Sequence, residues 1–245
     1  MLTAAAVRNS TLHSPNSTPF SKGVTMLLIE TEKFSAAAFM PQTPPEYSVW
    51  TVLPQGDGEA LFALLPEPKP ALICVSADWN RDLSPWFAPK VFRGGEDFSG
   101  GADAFLQNLS ENIIPFVENK LNITNCKRII AGYSLAGLFA VYAFYKSDLF
   151  CSGASVSGSL WFDGFIEFAE HENFCRTPKR FCFSVGDREK NTKNPRMAAV
   201  EDCTKAVAEL FRSRGVRTLF EINPGGHFSE PEARLAKGIS FAMGK

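Results

Sequence analysis

One serine of the chain lies at a turn of the kind that presents a nucleophile. Ser134 stands in Gly132-Tyr-Ser-Leu-Ala136, after the apolar run Arg128–Tyr133 and before the apolar segment Leu138–Tyr145. A tight turn from a strand to a helix exposes the serine hydroxyl, and small residues two positions before and after it prevent a clash. The N-terminus of the helix directs N–H groups at developing negative charge. We predict Ser134 as a nucleophile; an ordinary strand–turn–helix with an exposed serine is the alternative.

A serine nucleophile needs a base, because its hydroxyl is a poor nucleophile at its own pKa. The chain contains three histidines. His13 lies in a serine-rich N-terminal segment, and His171 lies between two glutamates in a polar stretch typical of solvated surface. His227 follows an apolar run through the turn Asn223-Pro-Gly-Gly226, which lets an imidazole fold back over the end of a sheet. We predict His227 as the base.

An acid is expected between the nucleophile and the base in the chain. The apolar run Arg180–Val185 ends at Gly186, and two carboxylates follow, Asp187 and Glu189. In many hydrolases the acid is the third residue after a glycine that ends the strand, which favours Glu189. Asp187 lies nearer the strand end and stays open as the alternative. The order serine, acid, histidine is that of α/β-hydrolases and differs from the orders of chymotrypsin and subtilisin.

Short apolar runs must position these side chains. The later runs are almost continuously apolar, as expected for strands buried on both faces of a parallel sheet. The earlier ones lie closer together and suit an antiparallel edge. The predicted strands are Leu27–Thr31, Ser35–Met40, Tyr47–Leu53, Ala71–Ala77, Arg128–Tyr133, Gly153–Val156, Arg180–Val185 and Thr218–Ile222.

Helical patterns separate the strands. Apolar residues recur at helical spacing from Phe105 to Phe116, where Pro115 is expected to kink or restart the helix. Asn194-Pro195 opens an amphipathic helix, and Ser229-Glu-Pro-Glu232 has the sequence of a capping box for the last helix. Alternation of strands and helices predicts an α/β sheet. Together with the turn at Ser134 and the order serine, acid, histidine, it indicates an α/β-hydrolase fold: a mostly parallel central sheet of about eight strands, helices on both faces, and no large lid.

The composition is that of an ordinary globular protein. Of the 245 residues, 45% are apolar and 21% are charged, and the net charge is -1. This balance gives no electrostatic reason to expect nucleic acid or a membrane surface as a partner. No apolar run approaches the roughly 20 residues that span a bilayer. The six cysteines form no C-x-x-C pair, so we expect free thiols, no metal site and a cytoplasmic location.

The N-terminal segment differs from the rest. Residues 1–25 are rich in Ser, Thr, Asn and Pro, without periodicity and without the apolar core of a secretory signal. We expect either a disordered tail or a stretch upstream of a true start at Met26. Residues 26–245 are expected to form a single α/β-hydrolase domain, and the sequence leaves open whether two copies form a homodimer.

Four stretches together resemble a known family. They are Gly132–Leu138, Ser155–Trp161, Gly186–Glu189 and Gly225–His227. The chain resembles the Putative esterase family of the α/β-hydrolase superfamily, which contains esterase D, feruloyl-esterase domains and enterochelin esterases. The resemblance covers roughly Tyr47 to the C-terminus and implies hydrolysis of small-molecule carboxylic esters without a cofactor. It assigns the catalytic roles to Ser134, His227 and Glu189, or to a Ser-His pair with a weakly engaged acid.

The proposed chemistry needs an oxyanion hole and a pocket. The backbone N–H of Leu135 is expected to be one oxyanion donor, and a second is expected after the strand Ala71–Ala77, at Asp78 or Trp79. Arg81 is a candidate for binding an anionic substrate group, with a surface ion pair to Asp82 as the alternative reading. Trp161 is a candidate for lining the leaving-group side, with core packing as its alternative.

Three functions remain open at this stage. The first is a serine esterase that forms an acyl-enzyme. The second uses the same three residues as a thioesterase, acyltransferase or peptidase. The third is a catalytically silent hydrolase fold that serves as a binding module, although a silent fold has no chemical reason to keep Ser134, His227 and an acid together.

Overall fold

The computed structural model describes residues 6–8, 25–53 and 58–245. Most of the predicted N-terminal tail, residues 1–25, therefore lies outside the described residues, apart from Ala6–Arg8, whose backbone pairs with the strand that begins at Thr25. Within the described part of the chain, no helix is both long and apolar enough to cross a membrane. No disulfide joins the six cysteines, all of which lie in this part.

Strands of the described residues form one large sheet and one small one. The large sheet has nine strands in the order β1-β2-β3-β5-β4-β8-β9-β10-β11, and β6 pairs with β7. The strands are β1 (Ala6–Arg8), β2 (Thr25–Glu30), β3 (Ser35–Met40), β4 (Tyr47–Thr51), β5 (Ala71–Val75), β6 (Phe87–Ala88), β7 (Phe98–Ser99), β8 (Lys127–Tyr133), β9 (Ser152–Val156), β10 (Arg180–Gly186) and β11 (Arg217–Asn223).

The sheet is parallel from β5 to β11 and antiparallel at its N-terminal edge. The strands β5, β4, β8, β9, β10 and β11 pair in parallel, whereas β1, β2 and β3 pair antiparallel, as does β3 with β5. All eight predicted strands are present with ends within two residues of the prediction. The prediction of an α/β sheet with an antiparallel edge is confirmed, and β1 makes nine strands.

Helices cover both faces of this sheet. One apolar cluster joins the sheet to α1 and α9, and the other joins it to α3, α4, α5, α6 and α8. Every residue of α5 from Leu135 to Tyr145 is buried, which explains why this segment is apolar all round. The helices are α1 (Gly58–Leu64), α2 (Trp79–Asp82), α3 (Ala102–Asn108), α4 (Ile114–Leu121), α5 (Leu135–Lys146), α6 (Phe165–His171), α7 (Pro195–Ala198), α8 (Val200–Ser213) and α9 (Pro231–Met243).

Two helix predictions need different comments. The helix does not end at Pro115: a π-helical turn, Leu109–Ile113, joins α3 to α4, and the residues at both junctions keep right-handed helical dihedral angles. The capping box at Ser229 is wrong. The residue before α9 is Glu230, with φ of 51°, and its helix N-terminus has no side-chain cap. The Ser229 hydroxyl instead accepts a hydrogen bond from the N–H of Gly226 and closes the turn around His227.

The turn from β8 to α5 brings two backbone segments very close together. Ser134 has φ of 57° and ψ of −123°, a conformation that side chains rarely adopt. A Cβ atom on Gly132 would lie 2.0 Å from the carbonyl oxygen of Ala136. Glycine is therefore required at position 132, whereas position 136 accepts a methyl group.

The different space available at positions 132 and 136 predicts different effects of substitution on stability. Gly132→Ala forces the strand and the helix apart, and we expect it to lower the free energy of unfolding by about 3 kcal/mol or more. Ala136→Gly is the matched control and is expected to cost only about 1 kcal/mol through helix propensity. Urea unfolding followed by circular dichroism measures both. Equal losses in the two variants would contradict the close approach at Gly132.

Candidate active site

A cavity of about 570 Å³ opens at the carboxyl ends of the parallel strands. Such strand ends, near the point where the strand order reverses, are where open α/β sheets bind ligands. Ser134, Glu189 and His227 all line this cavity. The segment between β6 and β7 forms one of its walls, and the side chain of Asn194 holds this wall through a 2.9 Å hydrogen bond to the carbonyl of Val91.

Ser134 is held by backbone contacts and leaves its hydroxyl lightly engaged. Its N–H donates to the carbonyl of Val156 at 3.2 Å, and its carbonyl accepts from Gly137 and Leu138 in the first turn of α5. Among the described residues, the Ser134 hydroxyl makes one hydrogen bond, a long contact of 3.5 Å to the hydroxyl of Ser159. The hydroxyl is therefore free to approach a ligand in the cavity.

His227 is paired with Glu189. Nδ1 of His227 lies 2.8 Å from Oε2 of Glu189, whose side chain is only 3% exposed. The other carboxylate oxygen, Oε1, accepts 2.6 Å hydrogen bonds from the Ser157 hydroxyl and from the N–H of Gly186. The guanidinium of Arg234 lies 3.5 Å from the same oxygen. A carboxylate bonded in this way fixes the imidazole with Nδ1 protonated and leaves Nε2 for the cavity.

The environment of Glu189 keeps it ionised. Burial raises the pKa of this carboxyl, but the hydrogen bonds from His227, Ser157 and the N–H of Gly186 outweigh burial. The pKa of Glu189 therefore lies below the usual glutamate value. An ionised acid beside the imidazole is suited to stabilising a protonated histidine.

Asp187, the alternative acid, is directed elsewhere. Its Oδ1 accepts from the N–H of Gly225 at 2.8 Å and lies 3.9 Å from the side chain of Arg188, and the aspartate side chain is half-exposed. It makes no hydrogen bond to His227 among the described residues. Asp187 therefore braces the loop that carries the histidine, and only Glu189 reaches the imidazole.

The loop that carries His227 is fixed at several points. Gly225 has φ of 108°, and a Cβ atom there would lie 2.5 Å from the Ser229 hydroxyl. The buried guanidinium of Arg234 donates to the carbonyls of Pro224, at 2.6 Å, and Gly226. The Tyr133 hydroxyl donates to the carbonyl of His227. These contacts tie the loop to α9 and to the residue before Ser134.

The backbone N–H groups of Leu135 and Trp79, two of the predicted oxyanion donors, are unused. They have no acceptor among the described residues, and both residues line the cavity. The N–H of Asp78, the alternative second donor, is taken by a carboxylate oxygen of Asp82 at 2.9 Å. Of the three predicted donors, Leu135 and Trp79 are therefore the ones whose N–H groups remain available.

The structure brings one of the two predicted substrate residues to the cavity. Trp161 lines it and packs against Phe98, with ring centroids 6.5 Å apart. Arg81 does not line it. The Arg81 guanidinium pairs with its neighbour Asp82 at 2.8 Å on the exposed surface, which was the alternative reading. Side chains of adjacent residues can form an ion pair whatever the fold. Here the ion pair with Asp82 holds the Arg81 guanidinium in place of an anionic substrate group.

Three residues around Glu189 and Ser134 were not predicted from the sequence. Ser157 and Ser159 lie in the loop after β9, and Arg234 lies in the first turn of α9. Serine and arginine are common residues whose bonds depend on the fold, so spacing alone gives no signal for them. The stretch Ser155–Trp161, which contributes to the family resemblance, was the available hint. No cluster of three or more potential metal-ligating side chains occurs in the described ranges.

Comparisons with known proteins identify the family of the chain. A family model described as "Putative esterase" matches residues 67–231, which include Ser134, Glu189 and His227. The uncharacterized protein YbbA of Bacillus subtilis (strain 168) is 25% identical over 191 residues, 70% of this chain and 76% of YbbA. Ferri-bacillibactin esterase BesA of the same organism is 24% identical over 155 residues, 59% of this chain and 52% of BesA.

A solved structure shows the same fold. The siderophore hydrolase EstA from Aspergillus nidulans superposes with a TM-score of 0.67 at 20% sequence identity, over 95% of this chain and 98% of EstA. At this level of identity, the likeness concerns the fold.

Ser157 gives a pH-dependent prediction. Because the pKa of Glu189 is lower in the folded protein, its ionisation stabilises the fold above the usual glutamate pKa of about 4.3, and this stability is lost as the pH falls through the folded-state pKa. Ser157→Ala removes one hydrogen bond to the carboxylate, which costs about 1.5–3 kcal/mol at pH 7. The difference in the free energy of unfolding between Ser157→Ala and the wild type is expected to become smaller below about pH 4.

Urea unfolding at pH 7 and at pH 3.5 measures this difference. Ser159→Ala is the control, since the Ser159 hydroxyl contacts Ser134 and, within the described ranges, no titrating group. For the control, we expect a loss in the free energy of unfolding that is the same at both pH values. If Ser157→Ala also loses the same free energy at both pH values, its hydroxyl does not act on the ionised Glu189.

Proposed function

We propose that Ser134, His227 and Glu189 form the catalytic triad of this chain, which belongs to the Putative esterase family. The chain is a carboxylic ester hydrolase of the serine hydrolase class. The observation that carries the proposal is the 2.8 Å contact between Nδ1 of His227 and Oε2 of Glu189 at the wall of the cavity that also holds Ser134. This pairing leaves Nε2 of the imidazole as the base at the cavity.

The proposed reaction is acyl transfer in two halves. Ser134 Oγ attacks the ester carbonyl while Nε2 of His227 takes its proton, and His227 then protonates the departing alcohol. The acyl group stays on Ser134 as an ester. Water, activated by His227, attacks this ester and releases the acid. Glu189 stabilises the imidazolium in each half without itself taking the proton.

The oxyanion of each tetrahedral intermediate needs donors at the cavity. We assign this role to the N–H groups of Leu135 and Trp79, which have no acceptor among the described residues. The N-terminus of α5 adds its partial positive charge at the same place. Loss of one such donor typically costs about 3 kcal/mol in transition-state stabilisation.

The same three residues also suit neighbouring reactions. A thioester or peptide substrate, or transfer of the acyl group to an alcohol, would use the same acyl-enzyme. A silent binding module has no need of the buried Glu189 or of a strained Ser134. The names of BesA and EstA add siderophore esters to the substrates to be assayed.

Labelling with a fluorophosphonate tests the nucleophile. The native protein is expected to form one covalent adduct at Ser134, because a triad serine attacks phosphorus as it attacks a carbonyl. Ser134→Ala is expected to remain unlabelled, and Ser159→Ala to keep the labelling site. Mass spectrometry of the digested protein identifies the residue. Equal labelling of the native protein and Ser134→Ala would refute the assignment.

Paired substitutions test the acid. Glu189→Gln is expected to lower kcat on p-nitrophenyl acetate by about 100-fold or more, because the amide no longer fixes the imidazole tautomer or stabilises its charge. Asp187→Asn keeps the oxygen that accepts from Gly225 and is expected to change kcat less than threefold or so. The reverse ranking would move the role to Asp187, and two mild effects would indicate a Ser-His pair.

A further inference from the structure

The cavity around the proposed nucleophile is built mainly from apolar side chains. Of the 23 described residues that line it, six are aromatic, and eight more are leucine, valine, methionine or proline. Its volume of about 570 Å³ lies within the range of pockets that enclose a small organic ligand. The aromatic lining residues are Trp79, Phe92, Phe98, Tyr133, Trp161 and Phe228. A substrate that fills this space must lose water from its own surface, which favours apolar groups.

The charges at the cavity do not favour an anion. Apart from His227 and Glu189, the charged lining residues in the described part of the chain are Lys90, Glu96 and Glu232. These three residues place one positive and two negative charges in the described lining. No arginine is among the described lining residues, so these residues lack the planar fork that binds carboxylates and phosphates through two hydrogen bonds.

Two of the arginines near the cavity, Arg196 and Arg234, are already engaged. Arg196 lies behind Trp161, with its guanidinium 5.6 Å from the ring centroid, and pairs with Asp163 at 2.8 Å. It also donates to the carbonyl of Pro89 at 2.6 Å. Arg234 is buried against Glu189 and the histidine loop. Both guanidiniums therefore already face a carboxylate, and neither arginine lines the cavity.

Two exposed phenylalanines stand among the lining residues. Phe228, next to His227, is 89% exposed, and Phe92, in the wall between β6 and β7, is 63% exposed. Large apolar side chains left in water beside a cavity are typical of a ligand-binding surface. They are positioned to cover an apolar group of a bound molecule once it enters.

We infer that the substrate of this site is an uncharged ester with at least one bulky apolar or aromatic branch. This branch lies against the aromatic lining and is covered by Phe228 and Phe92, while the ester carbonyl faces Ser134. The inference rests on the proposed function, since it places the ester at Ser134. Strongly anionic esters, including anionic ferric chelates, are poor substrates because the cavity offers them one ammonium group and two carboxylates.

Matched esters test the inference. p-Nitrophenyl acetate, p-nitrophenyl octanoate and the mono-p-nitrophenyl ester of suberic acid share one leaving group, and the last two have acyl chains of equal length. We expect kcat/KM to rise by up to about fourfold for each methylene from acetate towards octanoate. We expect the neutral octanoate to exceed the anionic suberate by about 100-fold or more. Equal rates for octanoate and suberate, or faster cleavage of an anionic ferric chelate, would overturn the inference.

Variants connect this preference to the lining. Phe228→Ala and Trp161→Ala are each expected to lower kcat/KM on octanoate by about tenfold while acetate changes much less, because only the longer chain reaches these rings. Phe87→Ala is the matched control, since Phe87 is 67% exposed but does not line the cavity. An equal loss on both esters would show that the rings support the fold and not the acyl chain.

A binding measurement separates this inference from the proposed function. Ser134→Ala removes the proposed nucleophile, so this variant can bind an ester without cleaving it. Calorimetric titration of the variant with butyl hexanoate, a neutral ester short enough to dissolve, therefore measures binding alone. We expect the variant to bind the neutral ester at least tenfold more tightly than the matched anionic monobutyl adipate. Absence of Ser134-dependent turnover with this preference intact would overturn the proposed triad alone. Ser134-dependent turnover without the preference would overturn the substrate class alone.

Discussion

The arrangement of the site depends on the compensation of one buried carboxylate. Glu189 is 3% exposed, and an unpaired carboxylate in such a place would cost several kcal/mol. The N–H of Gly186 and the hydroxyl of Ser157 bond one of its oxygens, and His227 bonds the other. These partners come from the ends of β10, β9 and β11. The hydrogen bonds that keep the acid ionised therefore also hold three loops in register around the imidazole.

The parallel sheet supplies the remaining geometry. Because parallel strands end at one edge, residues far apart in the chain meet there: Trp79 after β5, Ser134 after β8, Trp161 after β9 and His227 after β11. The segment between β6 and β7 lies beside this edge and forms one wall of the apolar cavity. An ester carbonyl at Ser134 would be partly shielded from water, which strengthens hydrogen bonds to the developing oxyanion.

Much of this arrangement could be predicted from the sequence, and the failures share a physical cause. Buried parallel strands are continuous apolar runs, so all eight predicted strands were found. Glu189 was preferred by its distance from the glycine that ends β10, and it is the carboxylate that reaches the imidazole. Arg81 does not line the cavity, because its neighbour Asp82 binds it locally. Ser157 and Ser229 make bonds that only the folded loops create.

If Ser134 carries the acyl group during turnover, rapid acid quenching traps it there. The protein is mixed with excess p-nitrophenyl octanoate, quenched during turnover, digested and analysed by mass spectrometry. We expect an octanoyl group on the peptide that contains Ser134, and we expect it to disappear when the substrate is exhausted. Turnover with the octanoyl group on a different residue, or undiminished turnover by Ser134→Ala, would show that Ser134 is not the nucleophile.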